Sequence, residues 1–181
     1  VIYAREYDAA ISPNGNIPVH AFNLISPTFF ANSSTGNKYS LWVNVYGVSE
    51  RYLNVYGEKD LRAQMNQFFH RTYTHPVDGT TLDMKMLCNW YWYDETAILE
   101  TGKGTKDWNF YRYAETLLSA AEAIAQSSGV NAEAAGYLAQ VKARANMEGK
   151  DVSTIASELQ RLGKQAFIEE CWKERLREFP L

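Results

Sequence analysis

Residues 27–46 bring aromatic and amide side chains together in one short stretch, PTFFANSSTGNKYSLWVNVY. A flat aromatic ring can cover the apolar C–H face of a sugar, while a planar amide bonds the neighbouring hydroxyl groups. The mixture predicts a carbohydrate-binding loop whose contact residues are Phe30, Asn32, Tyr39, Trp42 and Tyr46. The alternation over residues 41–46 equally suits a short strand that holds Trp42 and Tyr46 in its core.

A second aromatic run, WYWY at residues 90–93, is followed by Asp94, Glu95 and, further on, Glu100. Two carboxyl groups about 5 Å or about 6.5 to 9.5 Å apart across a sugar would support retaining or inverting glycoside hydrolysis. Nothing in the sequence singles out one of these carboxyls as an acid catalyst. We therefore expect binding without catalysis.

Other chemistry is not indicated by the sequence. His20, His70 and His75 are too few and too scattered for a zinc site, and no phosphate-binding glycine loop or nucleophile motif occurs. We expect no metal and no cofactor. Cys88 and Cys171 have no paired spacing, so free buried thiols are expected, although an exported protein would permit a disulfide.

Composition narrows the class of protein. The 181 residues are 46% hydrophobic and 22% charged, which is ordinary for a globular chain, but 14% aromatic content is high. A formal net charge of −3 without a long basic cluster gives no electrostatic footprint for nucleic acid. No apolar run reaches the roughly 18 to 20 residues that a membrane-spanning helix needs.

Two alanine-rich helices are predicted between residues 108 and 148. The first has one apolar face, and Gly129 ends it. Asn131 is the expected N-cap of the second. Their small side chains predict a closely packed hairpin of the tetratricopeptide kind. The apolar faces comprise Phe110, Ala114, Leu117, Leu118, Ala121, Ile124 and Ala125, then Ala134, Ala135, Leu138, Val141 and Ala145.

The remaining elements follow from local patterns. Residues 1–5 predict a strand, and 58–73 predict a helix with Leu61, Met65, Phe68 and Phe69 on one face. Residues 84–93 suit either a strand or a buried helix. Asp151 or Ser153 could cap a further helix, and Gly163 separates it from a last helix whose apolar side includes Trp172 and Phe179.

Motifs in the second half occur in a specific order. They are RYAE at 112–115 with AEA at 121–123, LAQVKARAN at 138–146 and FIEECWKERLREF at 167–179. In this order they resemble the SusD/RagB family of surface glycan-binding lipoproteins, whose last motif helix ends ER-x-x-E. Residues 1–7 and Asp60-Leu61-Arg62 are similar to further segments of that family. The resemblance spans almost the whole chain.

The resemblance implies a mainly α fold. Tetratricopeptide-like helical hairpins, the α/α superhelix of the family, would be joined to a loop-rich region with a few short strands. We expect a glycan-binding region at 1–106, with one helix near 58–73, and a helical scaffold at 107–181. Together they would form one intertwined domain, a fragment of a longer chain. Structural ties are expected of Arg112, Glu115, Glu122, Glu174 and Arg175, with Glu115 pairing the charge of Arg112.

The resemblance also implies a function. The protein would bind an oligosaccharide or polysaccharide at the cell surface, without catalysis, and deliver it to a SusC-like TonB-dependent transporter. It would face outward on the outer membrane and be held there by a lipid anchor that lies outside this segment, after removal of a signal peptide. Two alternatives stay open: a glycoside hydrolase, and a helical-repeat adaptor that binds other proteins.

Overall fold

The computed structural model describes residues 1–8, 10–13, 48–91, 93–95 and 104–180. The chain divides into two compact units that alternate along the sequence. The first, called the helical unit below, consists of residues 1–3, 54–62 and 110–181. The second, called the hairpin unit, consists of residues 4–53 and 63–109.

An antiparallel hairpin is the main regular element of the hairpin unit. Strand β2, Phe69–Thr74, pairs with strand β3, Thr81–Asn89, and the register is irregular between His70 and Thr72. In the turn, Asp78 Oδ1 accepts a hydrogen bond from Thr80 N at 2.9 Å, and Gly79 has φ +75°. A side chain at Gly79 would strain that backbone, so the turn depends on glycine.

The helix predicted at 58–73 is wrong. This stretch contains a 3₁₀ turn, Leu61–Ala63, and most of β2. Residues 69–74 read FHRTYT, which is rich in residues that favour strands, and they pair across an aspartate–glycine turn with residues 81–89. Segment 84–93, which suited a strand or a helix, lies in β3 as far as Asn89.

Three shorter elements are also found among the described residues. Strand β1, Tyr3–Arg5, confirms the strand predicted at 1–5, and it pairs with strand β4, Trp108–Tyr111. Helix α1, Glu50–Leu53, is a single turn. Because β4 lies where the first alanine-rich helix was expected to begin, Phe110 is 50% exposed on a strand and the prediction that it packs in the helical core is wrong.

Helices form most of the helical unit, and their ends follow local capping chemistry. Asn131 Oδ1 accepts from Ala134 N at 2.9 Å, which confirms the predicted N-cap, and Asp151 Oδ1 accepts from Thr154 N at 2.8 Å, which decides between Asp151 and Ser153. Gly129, at φ +82°, ends the first of these helices as predicted. The helices are α2, Tyr113–Ser128; α3, Ala132–Ala143; α4, Val152–Leu159; and α5, Lys164–Glu178.

The core of the helical unit lies where α2 packs on α3 and α5, and where α3 packs on α4. Buried alanines, such as Ala121 on α2 and Ala135 on α3, let the helix axes approach closely. Leu118 and Leu138 are fully buried, and each contributes roughly 1.5–3 kcal/mol relative to an exposed side chain. Trp172 was expected in this core, but it is 47% exposed and that prediction is wrong.

None of the helices in the described part of the chain is both long enough and apolar enough to cross a membrane.

Candidate functional site

The predicted carbohydrate-binding loop lies outside the described residues. Phe30, Asn32, Tyr39, Trp42 and Tyr46 all fall within positions 14–47, which lie outside them. The strand predicted at 41–46 lies in the same range. The loop therefore stays a prediction. Most of the second aromatic run lies among the described residues.

Trp90, Tyr91 and Tyr93 of that run belong to an aromatic cluster in the hairpin unit, and Trp92 lies outside the described residues. Trp90 follows β3 directly, and its backbone N–H donates to Phe68 O at 2.7 Å, which brings the run beside the start of β2. The cluster combines rings before β2, on β2 and after β3: Phe68, His70, Tyr73, Trp90, Tyr91 and Tyr93. His70, Tyr73 and Phe68 were missed because the sequence analysis placed them on a helix. An Asp-Gly turn between two strand-like runs was the signal that could have placed them in a hairpin.

Trp90 lies in the middle of a stack. Its ring centroid is 4.4 Å from that of His70, with planes 13° apart, and 4.9 Å from that of Tyr93, with planes 20° apart. Trp90 is half-buried, and both neighbouring rings cover part of its indole. The stack gives Trp90 a structural role in the cluster.

The tyrosine hydroxyls of the cluster form a chain. Tyr93 Oη lies 3.3 Å from Tyr73 Oη and donates to Glu95 Oε2 at 2.8 Å. Burial raises the pKa of both tyrosines, and their mutual hydrogen bond and the charge of Glu95 add to the rise for Tyr93. Both hydroxyls consequently keep their protons at neutral pH and act as donors.

Two of the carboxyls considered for hydrolysis have described surroundings. Asp94 is 8% exposed, and its Oδ2 accepts hydrogen bonds from Thr105 N at 2.8 Å and from Thr105 Oγ1 at 3.2 Å. Glu95 is exposed and accepts from Tyr93. Glu100 lies outside the described residues. Asp94 thus holds a loop in place, and neither Asp94 nor Glu95 is shown against a second carboxyl.

Arg112, the first of the predicted structural residues in the helical unit, contacts the end of α5. Its Nη2 donates to Glu178 O at 2.8 Å, its Nη1 lies 2.9 Å from Glu178 Oε1, and its guanidinium sits 4.6 Å from the ring centroid of Phe179. The expected pairing of Arg112 with Glu115 is wrong, because Glu115 binds Arg175 instead. Side chains from the last turn of α5 reach the start of α2 and take the place of the local partner.

Glu122 and Glu174 make contacts of different kinds. Glu122 Oε1 accepts from Trp172 Nε1 at 2.9 Å, which links α2 to α5. Glu174 is 1% exposed; its Oε1 lies 2.9 Å from Arg62 Nη2 and its Oε2 accepts from Arg177 Nη1 at 3.1 Å. These contacts support the structural role proposed for both residues.

Arg62 was not predicted as a site residue, yet it collects three carboxylates. It donates through Nε and Nη2 to Asp60 at 2.9 Å and 2.7 Å, and it also pairs with Glu174 and Glu178. Burial alone lowers the pKa of Arg62, but the Asp60 hydrogen bonds and the Glu174 charge outweigh it and raise the pKa above its usual range. Asp60 is two residues from Arg62, but local spacing does not predict the pairing with Glu174 and Glu178, because these two residues lie in α5 near the other end of the chain.

Metal chemistry finds no support in the described residues. Within them, no three histidine, cysteine, aspartate or glutamate side chains are grouped as a metal would require.

Cys88 and Cys171 are both buried free thiols. Of the two alternatives for the cysteines, free thiols and a disulfide, the structure therefore has free thiols.

The fold and the order of its motifs define a helix-rich protein with a few short strands and an aromatic hairpin. The sequence profile of the SusD family matches residues 30–181, so the chain belongs to the SusD/RagB family. Among solved structures, it is similar to a SusD superfamily protein from Parabacteroides distasonis ATCC 8503, with a TM-score of 0.72 and 21% sequence identity. The match covers 98% of this chain and 36% of that one, so this chain spans about a third of that protein's length. None of the curated proteins matches the chain.

Proposed function

We propose that the protein binds oligosaccharide or polysaccharide at the cell surface, without cleaving it. The observation that carries this proposal is membership of the SusD family over residues 30–181, a range that includes the predicted loop residues from Phe30 to Tyr46. Aromatic and asparagine side chains in that loop supply a stacking face and hydroxyl partners for a sugar. The ligand would be held by Phe30, Asn32, Tyr39, Trp42 and Tyr46.

Binding without hydrolysis is the form of the function that the described carboxyls favour. Asp94 Oδ2 accepts two hydrogen bonds from Thr105, and Glu95 accepts one from the hydroxyl of Tyr93. A glycosidase needs two carboxyls facing each other across a sugar. No described contact favours the hydrolase, and none favours the adaptor that was its alternative.

Delivery to a transporter extends the proposal. The protein would sit outward on the outer membrane, attached through a lipid anchor outside this segment, and pass its ligand to a SusC-like TonB-dependent transporter. The tetratricopeptide-like hairpins of α2 to α5 would form the rigid frame and the surface that docks to that partner. The close packing of α2 on α3 and α5 supports the role of a frame.

Calorimetry with soluble polysaccharides tests the binding step. Trp42→Ala is expected to weaken the affinity for the ligand by about tenfold or more, a factor that corresponds to about 1.4 kcal/mol. Tyr113→Ala, which removes an exposed ring from the helical unit, is the matched control and should leave the affinity unchanged. Equal affinity of folded Trp42→Ala and the unaltered chain would remove Trp42 from the site.

Chromatography of the same polysaccharides after incubation tests the absence of hydrolysis. No shortened products are expected from the purified protein. Steady turnover that disappears in Asp94→Asn or Glu95→Gln would replace the binding proposal with a hydrolase.

A further inference from the structure

We propose that helix α5 carries a second saccharide-binding surface centred on Trp172. This surface, called the Trp172 surface below, combines Ser119 and Glu122 of α2 with Trp172, Arg175 and Leu176 of α5. It lies in the helical unit, whereas the proposed loop site lies at residues 27–46. Both sites would take neutral sugars, but each has its own residues and can be tested without the other.

The indole of Trp172 is exposed and held in one orientation. Its side chain is 47% exposed, and its Nε1 donates to Glu122 Oε1 at 2.9 Å. No aromatic ring of the described residues stacks on it, whereas His70 and Tyr93 both stack on Trp90. An anchored ring on a packed helix loses little conformational entropy when a ligand covers it.

Hydrogen-bonding groups flank the ring. Arg175, three residues along α5 from Trp172, donates from Nη2 to Ser119 Oγ at 3.3 Å and pairs through Nη1 with Glu115. Because residues three apart on a helix are neighbours, Arg175 and Trp172 lie next to each other on the surface of α5. Donors of Arg175 and acceptors of Glu122 therefore stand on the polar margin of an apolar face, the combination that a pyranose ring requires.

The size of the apolar area favours a sugar over a protein partner. Leu176, four residues after Trp172, is the other exposed large apolar side chain on this face of α5 in the described chain. Exposed Glu169 and Lys173 lie on the same helix and limit the apolar area with charges of both signs. A stable protein interface buries about 800 Å² on each partner around an apolar centre. Two side chains match one or two sugar rings instead.

The chemistry of the ligand follows from these groups. A flat indole accepts the face of a pyranose that carries several C–H groups, as in β-linked glucose or galactose units. The mixture of charges gives no preference for a strongly anionic polymer. A single aromatic platform of this kind would bind a saccharide weakly.

Fluorine NMR of protein labelled with 5-fluorotryptophan tests the proposal at the site itself. Trp172→Phe assigns the Trp172 resonance, and starch, laminarin, xyloglucan, galactomannan and levan are added in turn. We expect the Trp172 resonance to shift saturably with at least one of them, and still to shift in Trp42→Ala. Trp172→Ala should weaken that affinity by about tenfold in a Trp42→Ala background, and Tyr113→Ala should not change it.

The remaining outcomes contradict the proposal in distinguishable ways. A shift of the Trp42 resonance alone would leave the loop site standing and remove the Trp172 surface. A shift of Trp172 produced by the purified transporter, and by no polysaccharide, would make the surface a protein contact. No shift of either resonance with any polysaccharide would overturn this proposal and the proposed function together.

Discussion

Arg62 Nη1 donates a hydrogen bond to Glu178 Oε2 at 3.0 Å, across 116 positions of sequence. Both side chains are buried, and neighbouring contacts reinforce the link: Tyr56 Oη donates to Arg177 O at 3.1 Å and Arg177 Nε donates to Val55 O at 2.7 Å. Residues 54–62 are thereby part of the helical unit. The carboxylates of α5 are neutralised by a segment that precedes the helices by more than 50 positions.

Removal of the Arg62 charge should destabilise the helical unit strongly. Arg62→Met leaves buried Glu174 and Glu178 with one cationic partner fewer each, for which we expect a loss of about 3 kcal/mol in the free energy of unfolding. Urea denaturation followed by far-ultraviolet circular dichroism measures it. The control Arg161→Met, at an exposed position, should change stability by less than about 0.5 kcal/mol. Equal effects of the two changes would show that the buried pairs contribute nothing specific.

The N-cap of α3 should make a smaller, independent contribution to the free energy of unfolding. Asn131→Ala removes the acceptor of Ala134 N and is expected to cost about 1 kcal/mol, visible as a lower Tm. Asn131→Asp keeps an oxygen in the same place and should restore most of the loss. If aspartate is as harmful as alanine, the capping bond is not the cause.

Histidine 70 should make stability depend on pH. Burial holds the pKa of His70 below its usual value of 6.5, so at mildly acidic pH the unfolded chain binds a proton here that the folded chain does not. The free energy of unfolding therefore falls as pH decreases below about 6.5, until His70 of the folded protein also becomes protonated. His70→Phe keeps a ring against Trp90 and should remove this contribution.

Denaturation series between about pH 7 and pH 5 measure the effect as the difference between the two proteins. The stability of the His70→Phe variant should fall less over that range. An identical slope would exclude His70 as the titrating group.

Both thiols should resist modification in the folded protein. Burial raises the pKa of Cys88 to about 12, and burial with the charges of Glu122 and Glu170 raises the pKa of Cys171 to about 12. Because the thiolate is the reactive form, iodoacetamide at neutral pH should label neither residue until urea is added. Mass spectrometry of the labelled peptides measures each site. Rapid labelling of either cysteine without urea would contradict its burial.

Local chemistry explains what could be predicted along the helices. Asn131 and Asp151 each bond a backbone N–H three residues ahead, and Gly129 takes the positive φ that ends α2, so these boundaries depend on a few adjacent residues. The alanine and leucine spacing then placed the buried faces of α2 and α3 correctly. Helix ends and buried helix faces depend on residues within about one turn of each other, so the sequence was sufficient to predict them.

The predictions that failed concern partners that are distant in the chain. Residues 61–69 carry helical spacing, yet Phe69 begins a strand because β3, beyond the turn at Gly79, offers it a hydrogen-bonding edge. Arg112 has Glu115 within one turn, yet it binds Glu178. In both cases a tertiary contact outweighed a local preference.

By itself, therefore, the sequence determined the family, the helix caps and the apolar faces of the alanine-rich hairpin, since each rests on residue types at short spacing. Only the tertiary structure decided that Arg62 pairs with the carboxylates of α5, that His70 and Tyr93 stack on Trp90, and that Trp172 is exposed. The physical reason is that burial and ion pairing depend on which distant segments meet, and spacing along the chain does not specify that.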